Sequence, residues 1–145
     1  MKLNRMLTAA ALSLTLAVPA LAFADTVNLK ADLKASSEVP PKDSQGHGNL
    51  DGTYDTSSKL LSWKVTYADL TGPASMAHFH GPAPAGKNAG VVIPIDASKL
   101  PSPIEGSATL TDAQAKDLLA GKWYFNVHTA KNPGGEIRGQ VEAAK

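Results

Sequence analysis

Val27, Leu29, Ala31 and Leu33 alternate with Asn28, Lys30, Asp32 and Lys34. Successive side chains of a strand point to opposite faces, so this period of two predicts a strand with one buried face. The pattern recurs where Leu61, Trp63, Val65 and Tyr67 interleave with Ser62, Lys64, Thr66 and Ala68. It recurs again where Trp123, Phe125 and Val127 interleave with Tyr124, Asn126 and His128, and where Ile137, Gly139 and Val141 interleave with Glu136, Arg138 and Gln140. Gly46 to Tyr54 reads as a glycine-rich strand, and Ser75 to His80, Val91 to Ile95 and Ile104 to Leu110 as shorter ones. Pro94 has no backbone N–H to give a ladder, which places the Val91 run at a sheet edge. Asp55 to Ser58 predicts a hairpin turn, Asn132-Pro133-Gly134-Gly135 a second one near the C-terminus, and Gly81 to Gly90 a loop.

One segment has another period. Thr111 with Gln114 three residues later forms a capping box, Ala113, Leu118 and Leu119 supply an apolar face, and Gly121 ends the helix. Seven to eight short strands with one short helix predict an all-β domain, a sandwich or Greek-key barrel. No internal repeat and no second domain is evident.

The first 24 residues follow neither pattern. Lys2 and Arg5 make a basic start, Leu7 to Leu21 is an apolar stretch, and Ala22-Phe23-Ala24 has the small-x-small form of a cleavage site. This predicts a secretory signal peptide cleaved after Ala24, and so a periplasmic or extracellular protein, with residues 25–145 as its single domain. The apolar stretch is short for a transmembrane anchor, and no cysteine is present to carry a lipid. Losing the leader takes Lys2 and Arg5, and no acid, from 14 basic and 13 acidic residues, which leaves a formal charge of −1. With no basic run or stripe, neither nucleic acid nor an anionic membrane surface is an expected partner. Without thiols the domain has no disulfides, so burial, strand pairing and any bound ion must hold it.

The candidate chemistry lies in the histidines. The chain has four, and two stand one residue apart in Ala77-His78-Phe79-His80-Gly81. On a strand, His78 and His80 project from the same face with Cα atoms roughly 6.5 Å apart, within reach of one ion. If Trp123, Phe125 and Val127 face the core, His128 faces outward with Tyr124 and Asn126. Three imidazoles meeting on neighbouring strands would make a site with an open position, suited to copper or zinc. Met76 shares the parity of His78 and His80. It reads first as a flexible core filler and second as a soft ligand that tilts the choice toward copper. His47, between two glycines, reads first as a solvated surface residue and second as a further ligand. Glu136 and Arg138 share one strand face. They read either as a second-layer pair, the carboxylate orienting an imidazole and the guanidinium guiding an anion, or as a surface ion pair. The bland reading of His78, His80 and His128 is a hydrogen-bonded polar cluster supporting a loop.

Glu38-Val39-Pro40-Pro41, Ala77 to Ala83, the helix from Leu110-Thr111 to Gly121, Trp123 to Thr129 and Asn132 to Gln140 together resemble the CHRD domain. That domain is named for chordin and also occurs as a stand-alone secreted bacterial protein. The resemblance covers nearly the whole domain and implies an immunoglobulin-like β-sandwich, with no enzymatic activity to transfer. The order of His78, His80, His128 and Arg138 is also similar, more weakly, to copper–zinc superoxide dismutase. No histidine lies between His80 and His128 to serve a zinc, however, and that family's cysteine pair is missing.

Three functional expectations follow. The first is a copper-binding protein, with zinc as the alternative ion, that sequesters or carries its metal rather than doing chemistry. The second is an extracellular interaction module without metal, whose histidines buttress the Gly81–Gly90 loop. The third is a copper-only, dismutase-like enzyme with Arg138 beside its ion. No protein partner is indicated.

Overall fold

The computed structural model describes residues 25–145, and the leader read from residues 1–24 lies outside them. Eight strands follow in chain order: β1 (Thr26–Lys34), β2 (His47–Asp55), β3 (Leu60–Ala68), β4 (Ala74–His80), β5 (Val91–Pro94), β6 (Ile104–Thr109), β7 (Trp123–Thr129) and β8 (Ile137–Ala143). One helix, α1 (Asp112–Leu119), joins β6 to β7. The strands form a single sheet in the order β5-β4-β7-β8-β1-β2-β3-β6, with every pairing antiparallel. The Pro94-bearing strand β5 is an edge.

The sheet curls over onto itself. β3 and β4 are far apart in strand order, yet the rings of Trp63 and Phe79 meet edge to face at 5.0 Å. The half β5-β4-β7-β8 therefore lies over the half β1-β2-β3-β6, and the fold is the all-β sandwich the alternation predicts. Leu29, Leu33, Leu50, Leu61, Val65, Phe79, Trp123, Phe125, Val127, Ile137 and Val141 fill the interior. Burying a side chain of this size stabilises by about 1.5–3 kcal/mol.

Thr111 Oγ1 accepts from the Gln114 N–H, and the Gln114 side chain accepts from the Thr111 N–H, so the capping box is present. Leu118 and Ala115 are buried in the core. At Gly81 the chain turns out of β4 against Trp123, and a Cβ there would lie 2.5 Å from the indole. This close approach sends the Gly81–Gly90 loop across the outer side of the sheet, where it covers β7. The Ala83 N–H donates to the Lys122 carbonyl and holds the crossing in place.

Candidate metal centre

All seven residues of β7 are buried. Trp123, Phe125 and Val127 face the core. Tyr124, Asn126 and His128 face outward, beneath the Gly81–Gly90 loop and the turn before β8. In the β4–β7 ladder Met76 stands opposite His128, His78 opposite Asn126, and His80 opposite Tyr124. This register gathers three imidazoles on one face, and one ring nitrogen from each lies within 4.8 Å of the others.

The hydrogen bonds fix which nitrogens face inward. His80 Nδ1 is 3.0 Å from the Ala89 carbonyl oxygen, and His128 Nδ1 is 2.9 Å from that of Pro133. A carbonyl can only accept, so both Nδ1 atoms carry the proton. All three rings are held below the usual histidine range. For His78, burial and then the neighbouring His128 and His80 push the value down to about 4. For His80, burial leads and outweighs the support of Ala89 and Asn126. For His128, burial outweighs the contact with Pro133. The rings are therefore neutral near pH 7, and the Nε2 atoms of His80 and His128 present lone pairs.

Those lone pairs converge. The Asn126 Oδ1 atom lies 3.1 Å from His80 Nε2 and 2.9 Å from His128 Nε2, and His78 Nδ1 is 3.1 Å from the same His128 Nε2. Two imidazole nitrogens thus face the Asn126 side chain, with the His78 ring beside them. Three ring nitrogens this close together can hold a metal ion. The Nδ1–H to carbonyl contacts are also the kind that orient metal-ligating imidazoles.

Tyr124 and Arg138 continue the layer. The Tyr124 ring stacks on His80 with centroids 4.8 Å apart and planes inclined by 2°. The Arg138 carbon Cζ lies 3.4 Å from the Tyr124 ring centre. Arg138 is 2% exposed, donates to Asn88 Oδ1 at 2.7 Å and to the Lys87 carbonyl, and so clamps the loop. A guanidinium this buried and committed does not guide an anion inward.

Glu136 does not reach an imidazole either. Its carboxylate accepts from Ser44 Oγ (2.6 Å), Thr71 N (2.8 Å), Thr71 Oγ1 (2.6 Å), Thr129 Oγ1 (2.5 Å) and Asn132 Nδ2 (3.1 Å). Burial opposes its charge, but the hydrogen bonds together win and hold its pKa at about 2. The surface-pair reading fails as well, because Glu136 and Arg138 are both buried and each has other partners.

His47 is apart from the cluster. It pairs with Lys34, Lys34 with Arg138, Arg138 with Asn126, and Asn126 with His78. Four strand spacings put it roughly 19 Å along the sheet from His78. There it is exposed, with Nδ1 3.1 Å from the Gln45 carbonyl. Met76 is not a core filler, since it is 44% exposed.

Sequence reasoning missed two members of this layer. Asn126 stands between the histidines, and its parity with His128 was the available signal. Glu38 is buried with Oε1 3.5 Å from Asn126 Nδ2. Burial raises its pKa to about 7 even against the nearby Arg138. Gly135 does more than turn the chain. It adopts φ +120, and a Cβ there would run into the Glu38 carboxylate.

A family model described as the CHRD domain matches residues 29–141, from within β1 into β8. No curated protein and no solved structure matches the chain. β4, β7 and all three clustered histidines fall inside the matched span, and the chain belongs to the CHRD domain family.

Proposed function

We propose that this is a periplasmic or secreted metal-binding protein that holds a copper ion between His78, His80 and His128, and that it sequesters or carries that ion. The observation that carries the reading is the convergence of one ring nitrogen from each of His78, His80 and His128 to within 4.8 Å of one another, with the His80 and His128 rings oriented by backbone carbonyls. His78 is half-buried, and among the described residues its ring makes no hydrogen bond to a backbone carbonyl, so it can turn onto the same point. Zinc accepts the same nitrogen set. The apolar leader in residues 1–24 supports the location, where soluble copper and zinc must be handled outside the cytoplasm.

Protein from cells expressing the full chain, purified without chelator, is expected to carry stoichiometric metal. His78→Ala/His80→Ala should abolish binding, and the single change His78→Ala, which touches no loop contact, should weaken it sharply. Unchanged affinity in both variants would rule the site out.

The loop supplies one observation for a second reading, a metal-free interaction module. His80, Tyr124 and Arg138 all bind the segment Lys87–Ala89. That reading expects no rise in melting temperature with any metal, whereas an ion selective for the native state must raise it.

A further inference from the structure

Met76 is the only sulfur-bearing residue in the described domain, because the chain has no cysteine and its other methionines are Met1 and Met6. This one sulfur stands directly opposite His128 and two residues before His78 on the same outward face. Directly opposed residues have Cβ atoms about 4.5–5.5 Å apart. An unbranched thioether with three rotatable bonds spans that gap. The β4–β7 register shifts between Ala74 and Met76. Such irregularities re-aim side chains beside functional sites. Met76 takes no part in the core and is 44% exposed, at the open side of the cluster.

The remaining donors are equally telling. Among the described residues no carboxylate joins the three imidazoles. Glu136 is occupied by Ser44, Thr71, Thr129 and Asn132, and Glu38 stands behind Asn126. Every group facing the centre is neutral. Imidazole accepts copper and zinc alike, and a thioether is the soft donor that selects Cu(I).

We propose that Met76 completes the site as a thioether ligand and that the ion held there is cuprous. This rests on the reading of His78, His80 and His128 as ligands. Met76 and half-buried His78 form the side from which the ion enters and leaves, and His80 and His128 form the fixed floor.

The test compares the wild-type protein with Met76→Leu, a change of similar volume at an exposed position. Cu(I) affinity is measured under anaerobic reducing conditions against a chromogenic Cu(I) chelator. Cu(II) and Zn(II) are measured against metal indicators. The expected result is a loss of about tenfold or more in Cu(I) affinity, with Cu(II) and Zn(II) changed by less than about twofold. X-ray absorption at the copper edge should show a sulfur neighbour in the wild type and none in Met76→Leu. Equal Cu(I) affinity in the two proteins overturns the proposal and leaves the three-histidine site standing. A wild type that binds none of the three ions overturns that site and this proposal with it.

Discussion

β7 and β3 carry the same alternation in sequence and meet different fates. In β3 burial follows the alternation, with Leu61, Trp63 and Val65 inward and Leu60, Lys64 and Thr66 exposed. In β7 it does not, and Tyr124, Asn126 and His128 are as enclosed as their apolar neighbours. The difference comes from what lies outside the sheet. Over β3 there is solvent. Over β7 lie the Gly81–Gly90 loop, the turn before β8 and Glu38. A polar group under cover must be partnered or it costs stability. The outer face of β7 has therefore become a hydrogen-bonded layer whose groups have displaced pKa values, while the corresponding positions of β3 remain independent of one another.

The largest effect is expected where buried hydrogen bonds are densest, at the Glu136 carboxylate beside the end of β7. Glu136→Ala leaves the hydroxyls of Ser44, Thr71 and Thr129 and the Thr71 N–H without their acceptor. Hydrogen bonds to a charged group are worth about 1.5–3 kcal/mol each, and water will restore part of the loss, so about 3 kcal/mol is expected by urea denaturation. The pH dependence follows with a definite sign. The folded pKa of about 2 lies below the ordinary value of 4.5. The stabilisation is thus complete above about pH 5 and is lost as pH falls toward 2. Glu38, raised to about 7, works the other way, and its neutral form favours folding as pH drops from 7 to 5. Glu136→Gln should flatten the acid limb. An acid limb as steep as that of the wild type would show that the network does not hold an ionised carboxylate.

This contrast also marks what was legible in the chain. Strands β1, β3 and β8, the edge position of β5, and the Thr111–Gln114 cap are local matters, set by alternation, a missing N–H and a spacing of three. The outward facing of His78, His80 and His128 is likewise a matter of parity. The isolation of His47 depends on strand order, which no local pattern encodes. Two of the partners of Glu136 come from segments 92 and 65 residues away, at Ser44 and Thr71. The cover over β7 could not be read from Gly81 to Gly90, whose composition says loop and not where the loop goes.

A gentler probe of the cover is Tyr124→Phe. It keeps the stack between His80 and Arg138 and removes a hydroxyl that accepts from the Ala89 N–H at 3.1 Å and donates to the Ala89 carbonyl at 3.2 Å. One or two neutral hydrogen bonds at a partly buried position are worth about 1–2 kcal/mol. Hydrogen exchange at Ala89 should accelerate, while amides of β2 and β3 keep their protection. Equal acceleration in both halves would mean that the loop and the sheet open as one unit.

The smallest effect belongs to the uncovered side. Lys64 and Glu105 face each other across β3 and β6, with 3.6 Å between Nζ and Oε1 and both side chains more than half exposed. Water screens the attraction, and holding two long side chains in one geometry costs entropy, so exposed pairs contribute between nothing and about 1 kcal/mol. Lys64→Ala is expected to change stability by less than about 0.5 kcal/mol and to leave metal binding untouched. The double change with Glu105→Ala should show no coupling between the two positions. A loss as large as that of Tyr124→Phe would mean that the outer face of β3 is not independent of its surroundings. The division between a covered, networked half and an open, additive one would then have to be abandoned.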